Sequence, residues 1–370
     1  MGLVESSKEM SAATPFVFII VSSLATFALY PLFISFLYRF QFRDPVNPDL
    51  PRTHMAKSGT PTAGGALPIL VFIVLSLVFN RSREVVLLCG VVGSLGVLGV
   101  LEDFFKMYYR SRLRKTVRER IVPIVTLSGL SWNLYKLALF PWGVFKETFR
   151  ALGSQTAGGI KTYQKILIQL LIAAGFAVWL VVNGGSRIWA PRLGSVDLGI
   201  LFAPFAISMF LFFTNAIDIT SGLDGLVGGL LLLSFSALLA ISLALGRYDL
   251  SSAVGILIGG LLAFMYFNIY PARIFPGNVA ELGWAGAFVV ILFLLDRAFL
   301  MPVLGGVFLI EGLSDIIQVG SVKLGKGRVF LMAPIHHHFE MKGWPEAKVT
   351  MRFWLAGAFF TFLGLCLAFL

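Results

Sequence analysis

Two neighbouring acidic residues, Glu102 and Asp103, end a long apolar stretch, and Lys106 follows them by about one helical turn. Adjacent carboxylates repel each other, but a membrane protein tolerates them at the membrane surface when they share a cation such as Mg²⁺. Because Mg²⁺ prefers oxygen ligands and substrate phosphates, the pair is typical of chemistry on a phosphate group. A helix end whose acids pair with the basic run 110–120 remains an alternative.

A second polar segment, residues 215–226, interrupts apolar sequence with Asn215, Asp218 and Asp224. Polar groups at membrane depth are costly and usually functional. If one helix ends in this segment and another begins, Asp224 lies beside backbone N–H groups that the helix leaves free. We interpret the segment as part of a catalytic or binding site, and a polar turn between two helices is the structural alternative.

Two further segments contain candidate substrate-binding residues. In residues 57–65, Lys57 and Thr62 accompany glycines just before an apolar stretch, and a glycine-rich turn that opens a helix offers backbone N–H groups to an anion. Farther along the chain, Asn268 offers an amide to the edge of a polar ring, and Phe275 offers a ring that stacks on a base. A capped helix start and an ordinary loop account for the same residues.

Three of the four histidines are consecutive: His336, His337 and His338. Three adjacent residues rarely direct their ligand atoms at one tetrahedral zinc ion, and the two cysteines lie in distant apolar runs. The motif therefore predicts binding of a phosphate or another polar ligand rather than a zinc site. Together with the acids, amides and lysines, it favours Mg²⁺-assisted phosphoryl transfer, which depends on positioning and charge neutralisation.

The elements that must position these residues are membrane helices. The chain has 370 residues, of which 57% are hydrophobic and 13% charged, compared with about 45–50% and about 25% in soluble domains. A membrane-spanning helix needs about 20 mostly apolar residues, and the sequence predicts an all-α polytopic membrane protein with about ten of them. The predicted spans are roughly 15–38, 63–80, 84–101, 164–183, 198–215, 222–245, 250–268, 284–300, 301–319 and 352–370.

The distribution of positive charge predicts which side of the membrane holds the motifs. Ten spans place alternate loops on opposite sides, and most Lys and Arg residues fall in one set of loops, which should be cytoplasmic. All the polar motifs lie in or beside that set, so we expect an active-site cleft on the cytoplasmic face and both termini outside. The net charge of +11 is then a consequence of membrane topology, and no nucleic-acid partner is expected.

The chain is predicted to form one transmembrane transferase domain, 1–370, with a basic cytoplasmic insertion at 107–163. The arginines and aromatic residues of the insertion indicate an amphipathic element that lies on anionic lipid. A disordered basic loop is the alternative.

Several segments of the sequence resemble those of a known family. Residues 328–345, which contain the histidine motif, resemble the signature of the phospho-N-acetylmuramoyl-pentapeptide-transferase family, within the polyprenyl-phosphate N-acetylhexosamine-1-phosphate transferase superfamily. Residues 59–65, 215–226, 268–277 and 305–323 resemble the same family in the same order. The resemblance covers nearly the whole chain from about Arg39.

The resemblance implies an activity, partners and a location. It implies transfer of phospho-MurNAc-pentapeptide from UDP-MurNAc-pentapeptide to undecaprenyl phosphate, which gives lipid I and UMP in the first membrane step of peptidoglycan synthesis. It implies Mg²⁺ as the cofactor and a homodimer in the bacterial cytoplasmic (inner) membrane. An inactive relative that still binds the nucleotide or the lipid, and a carrier of lipid-linked intermediates, are the alternatives.

The resemblance also implies roles for single residues. It places catalytic groups at Glu102, Asp103, Lys106, His336, His337 and His338, with the histidines near the pyrophosphate and sugar. Asp218 joins the predicted catalytic residues as a substitute for a carboxylate that this chain lacks. It places substrate-binding groups at Lys57 and Thr62, and it places the uridine end at Asp224, Asn268, Phe275 and Gln318. Asn215, in the same segment as Asp224, is also predicted to bind substrate.

The chain departs from the family pattern at several acidic positions. Glu102 and Asp218 stand where the family has Asp and Asn, and Ser221 and Asn278 stand where it has Asp. Asp218 lies three residues before Ser221, and Glu281 lies three after Asn278, so each substitute carboxylate shares a helix face with the position that lost one. Because an Asn carbonyl oxygen also binds Mg²⁺, we expect a rearranged metal site. The predicted ligands are Asp103, Asn278 and Glu281.

Overall fold

The computed structural model describes residues 11–40, 59–108 and 160–370. These residues form twelve α-helices and one two-stranded sheet. The elements are α1 (Thr14–Arg39), α2 (Ala66–Phe79), α3 (Arg83–Tyr108), α4 (Thr162–Gly184), β1 (Arg187–Ala190), β2 (Gly194–Asp197), α5 (Phe202–Ile219), α6 (Leu226–Ala244), α7 (Tyr248–Asn268), α8 (Asn278–Leu294), α9 (Met301–Leu304), α10 (Gly306–Lys323), α11 (Ile335–Met341) and α12 (Glu346–Ala368). Lys57 and most of the predicted insertion 107–163 lie outside the described residues.

The long apolar helices confirm an all-α polytopic membrane protein. Seven helices of the described chain are long and apolar enough to cross a membrane: α1, α3, α4, α5 with the turn before it, α6, α7 and α12. An eighth candidate combines α9 and α10, which are bent by 78° relative to each other. The shorter apolar helices α2 and α8 have 14 and 17 residues. Each of the ten predicted stretches coincides with one of these elements, and the count of ten spans stays a prediction.

Helix α8 is the centre of the bundle. Every residue from Asn278 to Leu294 is buried, because α2, α3, α5 and α6 pack around it. In contrast, α1 and α12 expose many large apolar side chains, as expected for helices that face lipid tails. The residues at the ends of α8 are therefore positioned by other helices and not by the bilayer.

A glycine brings the acidic end of α3 against the start of α8. A Cβ added at Gly99 would lie 2.4 Å from the backbone carbonyl of Asn278, which is closer than any side chain permits. Small residues allow this kind of close approach between membrane helices. The contact places Glu102 and Asp103, which follow Gly99 on α3, beside the first turn of α8.

The eighth, ninth and tenth predicted spans have different bounds in the structure, and α12 begins at Glu346 and not near 352. The eighth stretch, 284–300, was predicted to begin too late, since α8 starts at Asn278. Its first turn carries polar side chains, which lower the local hydropathy and hide the helix start from a hydropathy window. The ninth stretch, 301–319, is broken at Gly305, where the chain turns from α9 into α10. Gly306 lets the Phe360 ring approach this bend, since an added Cβ would lie 2.5 Å from that ring.

A small hairpin, which the sequence did not predict, connects α4 to α5. Strands β1 and β2 are antiparallel, with Arg187 opposite Asp197. The Asp296 carboxylate accepts a hydrogen bond from the Trp189 N–H at 3.1 Å, and the Arg297 guanidinium lies 3.9 Å from the centre of the Trp189 ring. Because the hairpin follows the last turn of α4, it lies at the end of the bundle opposite the acidic motifs.

Candidate active site

A buried lysine joins the acids of two helices. The Lys165 ammonium, in the first turn of α4, lies 2.9 Å from Oε2 of Glu102 and 2.7 Å from Oδ2 of Asp218. The Lys106 ammonium lies 3.5 Å from the other oxygen of Glu102. Lys165 and Glu102 are each only 7% exposed, so water screens these charges weakly. The ends of α3 and α5 are thus held to the start of α4 by charge.

The first turn of α8 adds polar groups to this place. The Asn278 N–H donates to Oδ1 of Asp103 at 3.3 Å. The buried carboxylate of Glu281 interacts with the Ser221 hydroxyl. It also lies within electrostatic range of Asp103 and Asp218. We call Glu102, Asp103, Lys106, Lys165, Asp218 and Glu281 the acid–lysine cluster.

The charges of the acid–lysine cluster do not cancel. Four carboxylates face two ammonium groups, which leaves two negative charges when all six are ionised. One oxygen of Asp218 (Oδ1) and the amide nitrogen of Asn278 are buried without a hydrogen-bond partner among the described residues. A divalent cation would balance the excess charge, and carboxylate and amide oxygens suit Mg²⁺.

The described residues contain no group of three or more His, Cys, Asp or Glu side chains arranged to hold a metal ion. This arrangement is compatible with Mg²⁺, which usually keeps several waters and binds through one or two carboxylates plus substrate phosphates rather than in an all-protein cage. The structure brings Asp103, Asn278 and Glu281 together at the start of α8. Their role as metal ligands stays a prediction.

Lys165 is a residue of the acid–lysine cluster that the sequence analysis missed. A lysine within an otherwise apolar predicted span was the available signal, because an ionisable residue at membrane depth needs a partner. One turn deeper, the Asn215 amide donates to Oε1 of Gln169 at 2.8 Å and to the Leu211 carbonyl at 2.8 Å. Asn215, predicted to bind substrate, therefore donates one hydrogen bond across the α4–α5 contact and one within its own helix.

The residues predicted at the uridine end form a second group beside the cluster. Oδ2 of Asp224 accepts a hydrogen bond from the Ala272 N–H at 2.9 Å. The Asn268 amide accepts from the Gly225 N–H at 3.2 Å and donates to the Ile274 carbonyl at 2.9 Å. The turn between α5 and α6 is thereby tied to the loop between α7 and α8.

The glycine-rich segment that contains Thr62 packs on the same α7–α8 loop. The Gly64 N–H donates to the Phe275 carbonyl at 2.8 Å, and the Phe275 N–H donates to the Pro61 carbonyl at 2.9 Å. Thr62 is buried beside these bonds. A Cβ added at Gly277 would lie 2.8 Å from Oδ2 of Asp103, so this contact also reaches the acid–lysine cluster. Thr62 and Phe275 are brought together, as the prediction of a shared site requires.

The three histidines point in two directions. A Cβ added at Gly222 would lie 2.4 Å from Nε2 of His336 and 3.0 Å from Nε2 of His337, so both rings lie against the turn between α5 and α6. Behind them, Nδ1 of His336 lies 3.1 Å from the Glu311 carboxylate, and Nδ1 of His337 lies 2.7 Å from Glu340. These acids orient the two rings toward the turn.

His338 and Gln318 contact the loop before the histidine motif instead. Nδ1 of His338 accepts a hydrogen bond from the Leu331 N–H at 3.1 Å, which requires an unprotonated nitrogen. Desolvation, together with the nearby Lys342 ammonium, lowers the pKa of His338 below its ordinary value, which favours that form. Oε1 of Gln318 accepts from the N–H groups of Val329 and Phe330 at 3.0 and 2.9 Å. Both predicted site residues therefore shape this loop.

The fold and this site together define a membrane-embedded transferase, and a family model described as glycosyl transferase family 4 matches residues 157–296. Proteins named phospho-N-acetylmuramoyl-pentapeptide-transferase match almost end to end. The protein of Geobacillus kaustophilus is 32% identical over 350 residues, which are 93% of this chain and 95% of the relative. The protein of Acetivibrio thermocellus is 33% identical over 357 residues (95% and 94%), and that of Bacillus subtilis is 32% identical over 354 residues (94% and 95%). The chain belongs to the phospho-N-acetylmuramoyl-pentapeptide-transferase family.

Proposed function

We propose that this protein transfers phospho-MurNAc-pentapeptide from UDP-MurNAc-pentapeptide to undecaprenyl phosphate, with lipid I and UMP as products. The observation that carries the proposal is the match of about 32% identity over 93% of the chain to relatives named for this transfer. A cluster of buried acids and lysines at one end of the bundle supports it, because phosphoryl transfer depends on positioning and on neutralising charge. In the overall reaction, the acceptor phosphate bonds to the sugar-linked phosphorus, and the pyrophosphate bond to UMP breaks.

The lysines of the acid–lysine cluster would lower the repulsion between the two anionic substrates. Lys106 and Lys165 are the cationic side chains held in it, and each is fixed by a carboxylate at 3.5 Å or less. A charge that is already positioned in a weakly screened site stabilises the developing charge of the transition state more than a charge in water does. Glu102 and Asp218 therefore act by holding Lys165 in place.

Mg²⁺ is proposed as the cofactor, held by Asp103, by Glu281 and by the side-chain oxygen of Asn278. The excess of two negative charges in the acid–lysine cluster supports a divalent cation at this place. When bound, Mg²⁺ would neutralise charge on the substrate pyrophosphate.

The remaining predicted residues would bind the nucleotide substrate. Asp224, Asn268 and Phe275 are proposed at the uridine end, since they meet where the α5–α6 turn contacts the α7–α8 loop. His336 and His337 are proposed at the pyrophosphate and sugar, because both rings lie against the turn that joins Asp218 to Asp224. The remaining proposed site residues are Lys57, Thr62, Asn215, Gln318 and His338.

The site is proposed to lie on the cytoplasmic face of a bacterial inner membrane, in a homodimer. The acid–lysine cluster, the α5–α6 turn and the start of α12 lie at one end of the bundle, next to the loops that carry most of the Lys and Arg residues. This arrangement supports a single substrate-binding surface that both the lipid phosphate and the soluble nucleotide reach.

Release of UMP by the purified full-length protein tests the proposed function. The protein in detergent receives UDP-MurNAc-pentapeptide, undecaprenyl phosphate and Mg²⁺, and both UMP and the lipid product are measured. We expect both products in equal amounts, with loss of both on chelation by EDTA and in Asp103→Asn. Nucleotide binding without UMP release would overturn the proposal in favour of an inactive binding relative.

A further inference from the structure

The C-terminal helix contacts the backbone of the α5–α6 turn through a buried acid. The Glu346 carboxylate, in the first turn of α12, accepts a hydrogen bond from the Asp224 N–H at 2.6 Å. Glu346 is only 9% exposed, and its partner lies 122 positions earlier in the chain. A hydrogen bond from a backbone N–H to an ionised carboxylate is about twice as strong as one between neutral groups.

Two further residues on the same face of α12 bind the same turn. Thr350 and Trp354 follow Glu346 at intervals of four residues, which places all three on one side of the helix. The Thr350 hydroxyl donates to the Asp224 carbonyl at 3.2 Å, and the Trp354 indole N–H donates to the Gly225 carbonyl at 3.2 Å. Gly229 leaves room for the indole, since an added Cβ would lie 2.2 Å from it.

These contacts determine the conformation of the turn. Each backbone N–H and carbonyl of Asp224 and Gly225 has a side-chain partner, three of them from α12 and one from Asn268. Gly225 has a φ of 73°, a left-handed conformation that glycine adopts without a steric penalty. The direction of the Asp224 side chain follows from this backbone.

Helix ends explain why a second acid is stable beside Asp224. The turn immediately precedes α6, and Glu346 begins α12, so both carboxylates lie at helix N-termini. The partial positive charge of a helix N-terminus stabilises nearby anions. The pair therefore presents Asp224 to a ligand at little electrostatic cost.

We propose that Glu346, Thr350 and Trp354, here called the α12 clamp, position Asp224 for the nucleotide substrate. The proposal rests on the proposed function, in which Asp224 contacts the uridine end. The α12 clamp bonds to the backbone that carries Asp224, so we expect it to act on substrate affinity more than on the transfer step. The C-terminal helix thus belongs to the specificity apparatus as well as to the membrane anchor.

Steady-state kinetics of Glu346→Ala and Glu346→Gln test the proposal. Glu346→Ala leaves the buried Asp224 N–H without its acceptor and loosens the backbone that directs the Asp224 side chain, so we expect KM for UDP-MurNAc-pentapeptide to rise by about 10-fold. The kcat value and the KM for undecaprenyl phosphate should change by less than about 3-fold. Glu346→Gln keeps the acceptor oxygen and should recover most of the affinity. A fall in kcat together with an equal rise in the KM values for both substrates would overturn the proposal.

Matched variants separate this effect from loss of folding. Glu84→Gln changes an acid of α3 at the other end of the bundle and should leave both KM values unchanged. Thr350→Val and Trp354→Phe remove one hydrogen bond each and should raise the same KM by smaller factors, with an unchanged melting temperature. Equilibrium dialysis of UDP against the wild type and the variants gives a readout independent of turnover. An inactive wild type would overturn the proposed function, whereas equal UDP affinity in all variants would overturn the α12 clamp.

Discussion

The two ends of the helical bundle both contain ion pairs, but these pairs differ in their exposure to water. At the end that carries the hairpin, Arg247 pairs with Glu84 and Asp249, and these side chains are 33%, 31% and 22% exposed. At the other end, the side chains of Lys165 and Glu102 are 9% exposed and that of Asp218 is 14% exposed, and the acids outnumber the lysines. Water balances the charge at the first end, whereas the second end must obtain its balance from the protein or a ligand. Unbalanced buried charge thus distinguishes a candidate site from a structural pair.

Of the changes that test this difference between the two ends, removal of the Lys165 charge should have the largest effect on stability and activity. Lys165→Met leaves Glu102 and Asp218 buried without their cation, and breaking a buried pair in this way costs about 3–5 kcal/mol. We expect a large fall in thermal stability and a loss of UMP release of about 100-fold or more. Stability is measured by thermal unfolding in detergent and activity by UMP release. Unchanged stability in Lys165→Met would contradict the strong coupling inferred for this end.

The matched change at the other end is Arg247→Met, which should have a small effect. Pairs that are about one third exposed are screened by water, and such pairs contribute about 0–1 kcal/mol. We expect UMP release close to that of the wild type and only a slight decrease in melting temperature. A loss as large as that of Lys165→Met would remove the distinction between the two ends.

The close approach of α3 to α8 gives the second largest predicted effect. Gly99→Ala places a methyl group against the Asn278 backbone, and overpacking of this kind costs about 1–3 kcal/mol. We expect a lower melting temperature and weaker activity, because the acids that follow Gly99 move away from α8. Gly90→Ala is the control on the same helix, since an added Cβ there meets no atom within 4 Å. Equal behaviour of the two variants would show that this helix contact does not position the acids.

A change of one ligand at the proposed metal site should produce a more modest shift. Asn278→Asp adds a third negative charge to the excess at the start of α8, and a higher ligand charge increases affinity for a divalent cation. We expect half-maximal UMP release at a Mg²⁺ concentration lower by about 10-fold. Asn183→Asp, at the exposed end of α4, is the control and should leave the Mg²⁺ dependence unchanged. An unchanged dependence in Asn278→Asp would argue against Asn278 as a ligand.

The parts of the site visible in the sequence are those in which a polar residue interrupts an apolar stretch. Glu102, Asp103, Asp218 and Asp224 stood out for that reason, and the helix pattern around them placed them at one end of the bundle. The membrane-protein class followed from composition alone. The glycine-rich segment was also placed correctly, just before the apolar stretch that forms α2.

The contacts between distant segments could not be predicted in the same way. The Lys165 pairs and the Glu346–Asp224 bond join residues that are 53 to 122 positions apart, and no local pattern encodes such a partner. The start of α8 was misplaced because Asn278 and Glu281 in its first turn lower the local hydropathy. A hydropathy pattern therefore predicts a loop at this helix start. The hairpin was missed because two strands of four residues produce almost no periodic signal.

The complete burial of α8 has a consequence for the host membrane. A helix of 17 residues is about 25 Å long, shorter than a hydrocarbon core of about 30 Å. No residue of α8 is exposed to lipid. A thicker or thinner bilayer therefore adjusts its thickness around the lipid-facing helices α1 and α12 and exerts no direct force on α8, which carries Asn278 and Glu281. The depth of these two side chains is therefore a property of the protein, and it should remain the same when the acyl-chain length of the surrounding lipid changes.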